Sequence, residues 1–394
     1  MTPDPDTRAV TAALAARTGT DPADWFLVFK ARYGLQVVFD MLREIRGPGD
    51  VVTQIFTCAT AVDPILVAGL TPVHADVSAA TVSIDPDSLV LPDRVRAVVV
   101  QHTFGIVDDD RAARVAATAR TAGALVVEDS AHCATRMARD ASGAPIADVS
   151  VHSFGIEKVL PTRFGGAVWV NPATGDAALR RSLVDELAGL PAAGPRLDAL
   201  ARVYRTQVGV LNRLPRAVAA PLRGALTRLR VFEPAVAPVE ARGRLPYRPM
   251  RPSAWMTRQV AAALPGLDAV QRRRAAAVAE YQRLLGDAVQ VPASARPDDP
   301  LVRWPFFAAD GPTAVRILQA LGAAGVYAGS WYRPALFPGV GDPARYGYTP
   351  GDGRLAVSED LVERVVNLPT GGDVTQARRA ADVVLRVVGA PRST

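Results

Sequence analysis

Lysine occurs only at Lys30 and Lys158 in this chain, against 43 arginines. Arginine stays protonated under ordinary conditions, whereas lysine can lose its proton and attack a carbonyl carbon as an amine. Lys158 lies in Ser153-Phe154-Gly155-Ile156-Glu157-Lys158, just past the apolar run Val149 to Phe154, which reads as a strand. Asp129 stands 29 positions earlier and closes another such run, Ala124 to Glu128. A Schiff-base lysine and a strand-end carboxylate together suit one cofactor, pyridoxal 5'-phosphate. It needs an amine for covalent attachment and a carboxylate that keeps its ring nitrogen protonated, so that the ring acts as an electron sink. It also needs a phosphate cup, commonly backbone N–H groups at a helix start. Ala31, Arg32 and Tyr33 open the first large helix and form the candidate cup, with the Ser153 hydroxyl as a further donor. Taken alone, Asp129 reads equally well as a helix N-cap, and Lys30 is the rival for covalent attachment.

The elements that would position these residues alternate in type. A helical pattern from about Tyr33 to Ile45 is followed by a strand at Val51–Phe56, a helix at Ala59–Ala68 and a strand at Pro72–Asp76. Ala97–Gln101 is an uninterrupted apolar strand of the kind buried on both faces. A helix (Arg111–Ala122) and strands at Ala124–Asp129, Val149–Phe154 and Gly166–Val170 complete the first half. Short strands alternating with helices predict an α/β fold with a mostly parallel central sheet. Ligands bind such sheets outside the carboxyl ends of their strands, which singles out Thr57, His102, Asp129, His132, Ser153 and Lys158. His152 lies close by, while His74 falls inside a strand and reads as structural. From about Asp176 to Phe232 the chain is Ala/Leu/Arg-rich and helical, and a Pro-rich linker follows. A long helix from Ala254 to Leu285, broken near Pro265, leads into a mixed tail that ends in a helix over Val374–Val388. Residues 1–245 are expected to form a large cofactor-binding domain and 246–394 a smaller α+β domain.

Composition narrows the function classes. The 394 residues carry a net charge of +6, with a sequence pI near 9.7. That invites a nucleic-acid reading, but no nucleic-acid-binding motif supports it and the Arg272-Arg273-Arg274 run reads as a solvated face. The two cysteines, Cys58 and Cys133, have neither disulfide nor zinc spacing. No apolar run is long enough to span a bilayer, and the acidic, Pro-rich start is unlike a signal peptide. The expectation is a cytoplasmic protein with no metal, no nucleic-acid partner and no membrane partner. Gly351-Asp352-Gly353-Arg354-Leu355-Ala356 follows a loop rather than a strand and reads as a turn, not a dinucleotide site.

The order and spacing of the motifs resemble the DegT/DnrJ/EryC1/StrS sugar aminotransferase family of fold-type I pyridoxal-phosphate enzymes. Glu128-Asp129-Ser130-Ala131-His132 resembles the family's E-D-[AS]-A-[QH], and Ser153 to Lys158 its S-F-x3-K. Gly165-Gly166-Ala167-Val168, Gly47-Pro48-Gly49-Asp50-Val51-Val52, Ala68 to Val73 and Asn367-Leu368-Pro369-Thr370 resemble further family segments. The resemblance implies that Lys158 carries the cofactor, Asp129 pairs with its ring nitrogen, His132 lies near its ring hydroxyl and Ser153 binds its phosphate. It implies an amino-acid donor, glutamate first, and a keto-sugar acceptor, typically nucleotide-linked. It also implies a homodimer with shared active sites. Three positions depart from the pattern. The phosphate loop reads Lys30-Ala31-Arg32 where hydroxyl donors are usual. Cys58 stands where an aromatic ring commonly stacks on the cofactor, leaving Phe56 or His102 as substitutes. The segment that reaches into the partner's site lacks its asparagine, leaving Arg251 and Ser253 as cross-subunit contacts. His102 and Trp331 join these as candidate substrate residues. Other chemistry on the same scaffold (elimination, decarboxylation, carbon–carbon bond formation), a non-sugar acceptor and a silent regulator are the alternatives.

Overall fold

A computed structural model describes residues 4–389. Helix α1 (Pro5–Thr18) starts at Asp4, whose carboxylate accepts the N–H groups of Asp6 and Thr7. A short strand β1 (Trp25–Val28) leads into α2 (Ala31–Arg46). Then come β2 (Asp50–Thr53), α3 (Ala59–Val67), β3 (Thr71–His74), β4 (Val95–Gln101), α4 (Asp109–Thr121), β5 (Leu125–Asp129), β6 (Val149–Ser153) and β7 (Gly166–Val170). Helices α5 (Ala177–Gly189), α6 (Pro195–Leu211), α7 (Arg216–Arg228), α8 (Ala254–Ala263) and α9 (Leu267–Leu285) follow. The chain closes with β8 (Arg303–Phe307), α10 (Gly311–Ala323), α11 (Ala356–Arg364), β9 (Val365–Pro369) and α12 (Val374–Val388).

The first seven strands form one sheet in the order β1-β7-β6-β5-β4-β2-β3. Strands β2 to β6 run parallel, while β7 is antiparallel to both β6 and β1. The expected mostly parallel α/β sheet is therefore present. Val28, Val38, Phe39, Val51 and Leu125 share one apolar cluster with α3 and α5, and Val98, Val126 and Ala116 another with α4. Helix α2 packs close to the sheet because Gly34 faces it: a Cβ there would lie 2.5 Å from Val168 Cγ2. The antiparallel pair β8–β9 is covered by α9, α10 and α12 around Trp304, Phe306, Tyr281 and Val384.

Most elements fall where the periodicity places them. The break near Pro265 separates α8 from α9, and Asp373 caps α12 by accepting the Gln376 N–H at 2.8 Å. Three elements are additions: α1, β1 and α11. Helix α1 is rich in Ala, Thr and Arg and has no strong apolar stripe, although Val10 and Leu14 are fully buried. Strand β1 has only four residues and gains its identity from pairing with β7. Gly351 to Leu355 is a turn leading into α11, as expected.

Candidate active site

The carboxyl ends of β4, β5 and β6 lie side by side, with Gln101 paired to Asp129 and Asp129 to Val151. They open into a cavity of about 310 Å³ lined by Ala31, Arg32, Cys58, His102, Asp129, His132, Ser153, Lys158 and Trp331. Residues separated by up to 300 positions thus share one space. Glycine is required at 166, where a Cβ would lie 2.7 Å from the His152 carbonyl oxygen and 3.0 Å from the Ala31 nitrogen. That close approach sets the start of α2 beside Ser153.

Asp129 Oδ1 accepts the Ala131 N–H at 3.0 Å. Burial holds its carboxyl above the usual range, opposed by that N–H and by the charge of Lys158. No ion pair to Asp129 is formed among the described residues, and a cationic N–H placed against it would supply that contact. The Lys158 side chain lines the cavity, its amine 5.1 Å over the Trp331 ring. Burial lowers its pKa, against the pull of Cys58 and Asp129, which favours the neutral, nucleophilic amine.

His132 accepts the Phe104 N–H at Nδ1, 3.0 Å, so its proton sits on Nε2, 3.4 Å from the Tyr332 hydroxyl. Burial and the Lys158 charge keep the ring neutral. It stacks on Trp331, with centroids 5.0 Å apart and planes 7° apart. His102 lines the cavity and bonds Glu128 through Nε2 at 2.7 Å. Glu128 also accepts the Ala138 N–H and the Ser150 hydroxyl, and these bonds lower its pKa despite burial. The residue beside Asp129 therefore anchors the site's wall from behind. His152 turns away from the cavity, to Ser150 and the Ala134 carbonyl.

The helix start differs in detail from expectation. Ala31 and Arg32 line the cavity, but the Tyr33 N–H is spent on the Lys30 carbonyl at 3.0 Å. The Tyr33 ring is buried against Phe29 and Tyr247, so the cup narrows to two N–H groups. Lys30 reaches the cavity wall, yet its amine is bound to Glu233 at 2.5 Å and to the Pro234 carbonyl at 3.3 Å. Arg32 pairs with Glu240 and bonds the Ala235 carbonyl at 2.9 Å. Both cations thus hold the segment 233–240 against the site, and Lys158 is left as the available amine.

Cys58 lines the cavity, its Sγ accepting the Thr60 hydroxyl at 3.1 Å. Phe56 does not substitute for a stacking ring, because it packs edge-on to Phe104 and Tyr332 in the core behind. The rings that do line the cavity include Tyr327, Tyr332 and the stacked pair Trp331 and His132. Arg251 and Ser253 lie outside this cavity. Arg251 pairs through its backbone with Pro191 and Ala193; Ser253 caps α8, accepting the Met256 N–H at 3.3 Å, and donates to Asp198. Sequence reasoning missed Tyr332, Arg163, Glu233 and Glu240. Only the Trp331-Tyr332 dipeptide in a Pro/Gly-rich loop carried a readable signal.

The site's donor set fits pyridoxal phosphate: a depressed-pKa lysine, a buried carboxylate without a cation in contact, a neutral imidazole N–H and open N–H groups at a helix start. The fold is that of solved aminotransferases. Helicobacter pylori PseC, an aminotransferase involved in pseudoaminic acid biosynthesis, superimposes with a TM-score of 0.70 at 17% identity, over 98% of this chain and 92% of that one. The sugar aminotransferase CalS13 of Micromonospora echinospora gives 0.64 at 22% identity, over 97% and 91%. The model of the DegT/DnrJ/EryC1/StrS aminotransferase family matches residues 33–233. The chain belongs to that family. SpsC of Bacillus subtilis, a spore coat polysaccharide biosynthesis protein, is 37% identical over 123 residues. That match spans 30% of this chain and about a third (31%) of SpsC.

Proposed function

We propose that the chain is a pyridoxal-phosphate-dependent aminotransferase that moves an amino group from an amino acid, glutamate by first choice, to the keto group of a nucleotide-linked sugar. One observation carries the reading: Lys158 and Asp129 line a single cavity together with the start of α2. Family membership and likeness to sugar aminotransferases support the amino-transfer chemistry and a sugar acceptor.

When bound, the cofactor supplies the electron sink for α-proton removal. Lys158 would hold it covalently and, once released, its neutral Nζ would carry the proton from the donor's α-carbon. Asp129 would keep the ring nitrogen protonated. His132 would donate its Nε2–H to an oxygen on the ring, and its plane with that of Trp331 would shape the slot. Ala31, Arg32 and Ser153 would hold the phosphate. Arg163, at the cavity wall, bonds the Pro161 carbonyl at 3.2 Å and would face an anionic group of the substrate. Residues 1–245 would then carry the cofactor in a large domain, with 246–394 as the smaller one, and two copies would pair as a homodimer.

The purified protein with added cofactor should show a visible absorbance band that borohydride bleaches and that Lys158→Ala lacks. Glutamate should convert the band. A protein that stays colourless loses the cofactor assignment; a band that no amino donor converts loses the transfer reaction.

A further inference from the structure

Residues 195–232 hold eight arginines and one acid, Asp198, a net charge of +7. The rest of the chain is therefore at −1, so the basic balance of the whole protein comes from less than a tenth of its length. These residues form the hairpin of α6 and α7. They also carry six of the twelve exposed large hydrophobic side chains among the described residues: Val203, Val210, Val218, Leu222, Leu229 and Val231. In α7, Val218, Leu222 and Ala225 fall at i, i+4 and i+7, with Leu229 following at i+11. That spacing gives one apolar stripe. Leu229 is 71% exposed and Val218 51%. No side chain of α7 is buried among those described; the helix is held through half-buried Leu226 beside Phe232 and through Arg223, whose guanidinium lies over the Phe232 ring and bonds Asn212 at 3.1 Å.

We infer that this hairpin docks the protein on an anionic phospholipid surface, with α7 lying in the interface plane. The charge decides the class of partner. A second copy would bring another +7 face against this one, and the repulsion opposes a symmetric pairing through it. An acidic protein would match the charge, but the stripe is purely aliphatic and lacks the Trp or Tyr anchors on which such contacts depend. Aliphatic side chains flanked by arginines are what a headgroup layer accepts: the chains enter the acyl boundary while the guanidinium groups reach back to phosphate. Among the described residues no helix is long and apolar enough to cross a membrane, and surface docking needs none. The shortness of the apolar runs excludes only a spanning mode.

The test is sedimentation of the full chain with vesicles. It should pellet with mixed phosphatidylglycerol–phosphatidylcholine vesicles, less at raised salt, and stay in solution with phosphatidylcholine alone. Combined Val218→Glu, Leu222→Glu and Leu229→Glu should abolish pelleting while the circular dichroism and the solution mass stay those of the wild type. Arg213→Gln and Arg228→Gln should each weaken binding roughly fivefold, corresponding to about 1 kcal/mol per basic residue at an anionic surface. The inference fails if the wild type ignores anionic vesicles or binds neutral ones equally. It also fails if the triple variant still pellets, or if that variant loses its oligomeric mass instead, which would make the hairpin a subunit interface.

Discussion

Asp129 and Lys158 each sit in an environment that works against their charged form. Burial raises the carboxyl and lowers the amine, so each is poised to gain from a ligand that brings the missing charge or accepts the lone pair. Asp129→Asn keeps the shape and the Ala131 N–H acceptor but removes the negative charge. Its fold should be unchanged by circular dichroism and its turnover down by roughly a hundredfold or more, the range of a positioned acid–base group. Near-normal turnover would remove Asp129 from the mechanism. The placement of both residues at or just past strand ends was legible in the chain, because a strand end is a local feature and lysine is so rare here. The pairing of Arg32 with Glu240 and of Lys30 with Glu233 was not legible, since each joins residues more than 200 positions apart.

The elements show how closely the site depends on backbone approach. Helix α2 delivers Ala31 and Arg32 only because Gly34 lets it lie against β7. In Gly34→Ala the new methyl would meet Val168 at 2.5 Å, with Val28 and Val151 just behind it at 3.5 and 3.6 Å. These are stiff β-branched side chains in the middle of the sheet, so the helix must shift. We expect a loss of about 1–3 kcal/mol, the usual cost of overpacking, together with weaker cofactor retention; unchanged denaturant midpoints would show that the helix has room. Boundaries were read well where apolar periodicity was strong, as in α2 and β4. They were missed in α1 and β1, where burial comes from neighbours rather than from the segment's own pattern.

Across the whole molecule, distant segments are tied by a buried polar cluster at Tyr346. Its hydroxyl lies 2.7 Å from Asp63 Oδ1 on α3 and 2.7 Å from the Glu240 carbonyl, and it accepts the Gly243 N–H at 2.6 Å. A hydroxyl has one proton to donate. With that proton on the Glu240 carbonyl, Asp63 must supply its own, in keeping with a pKa that burial pushes up to about 8. The sign of the stability effect follows. An unfolded aspartate releases its proton near pH 4, while the folded one holds it to about 8. In that window the unfolded chain binds fewer protons, so this carboxyl's contribution falls as pH rises. Wild type should therefore lose thermal stability between pH 6 and 9 faster than Asp63→Asn does. Parallel curves would mean that Asp63 is already ionised at neutral pH.

The sequence by itself determined the kind of chemistry and the sheet that carries it. Residue type fixes what a side chain can do, and strand periodicity fixes where its strand ends. Tertiary structure alone decided which side chains share the cavity: Trp331 against His132, segment 233–240 against the start of α2, Tyr33 and Phe56 turned into the core. Those contacts join parts of the chain far apart in sequence, and burial among them sets the protonation of Lys158, Asp129 and His132. No local pattern encodes an environment that exists only once the chain has returned on itself.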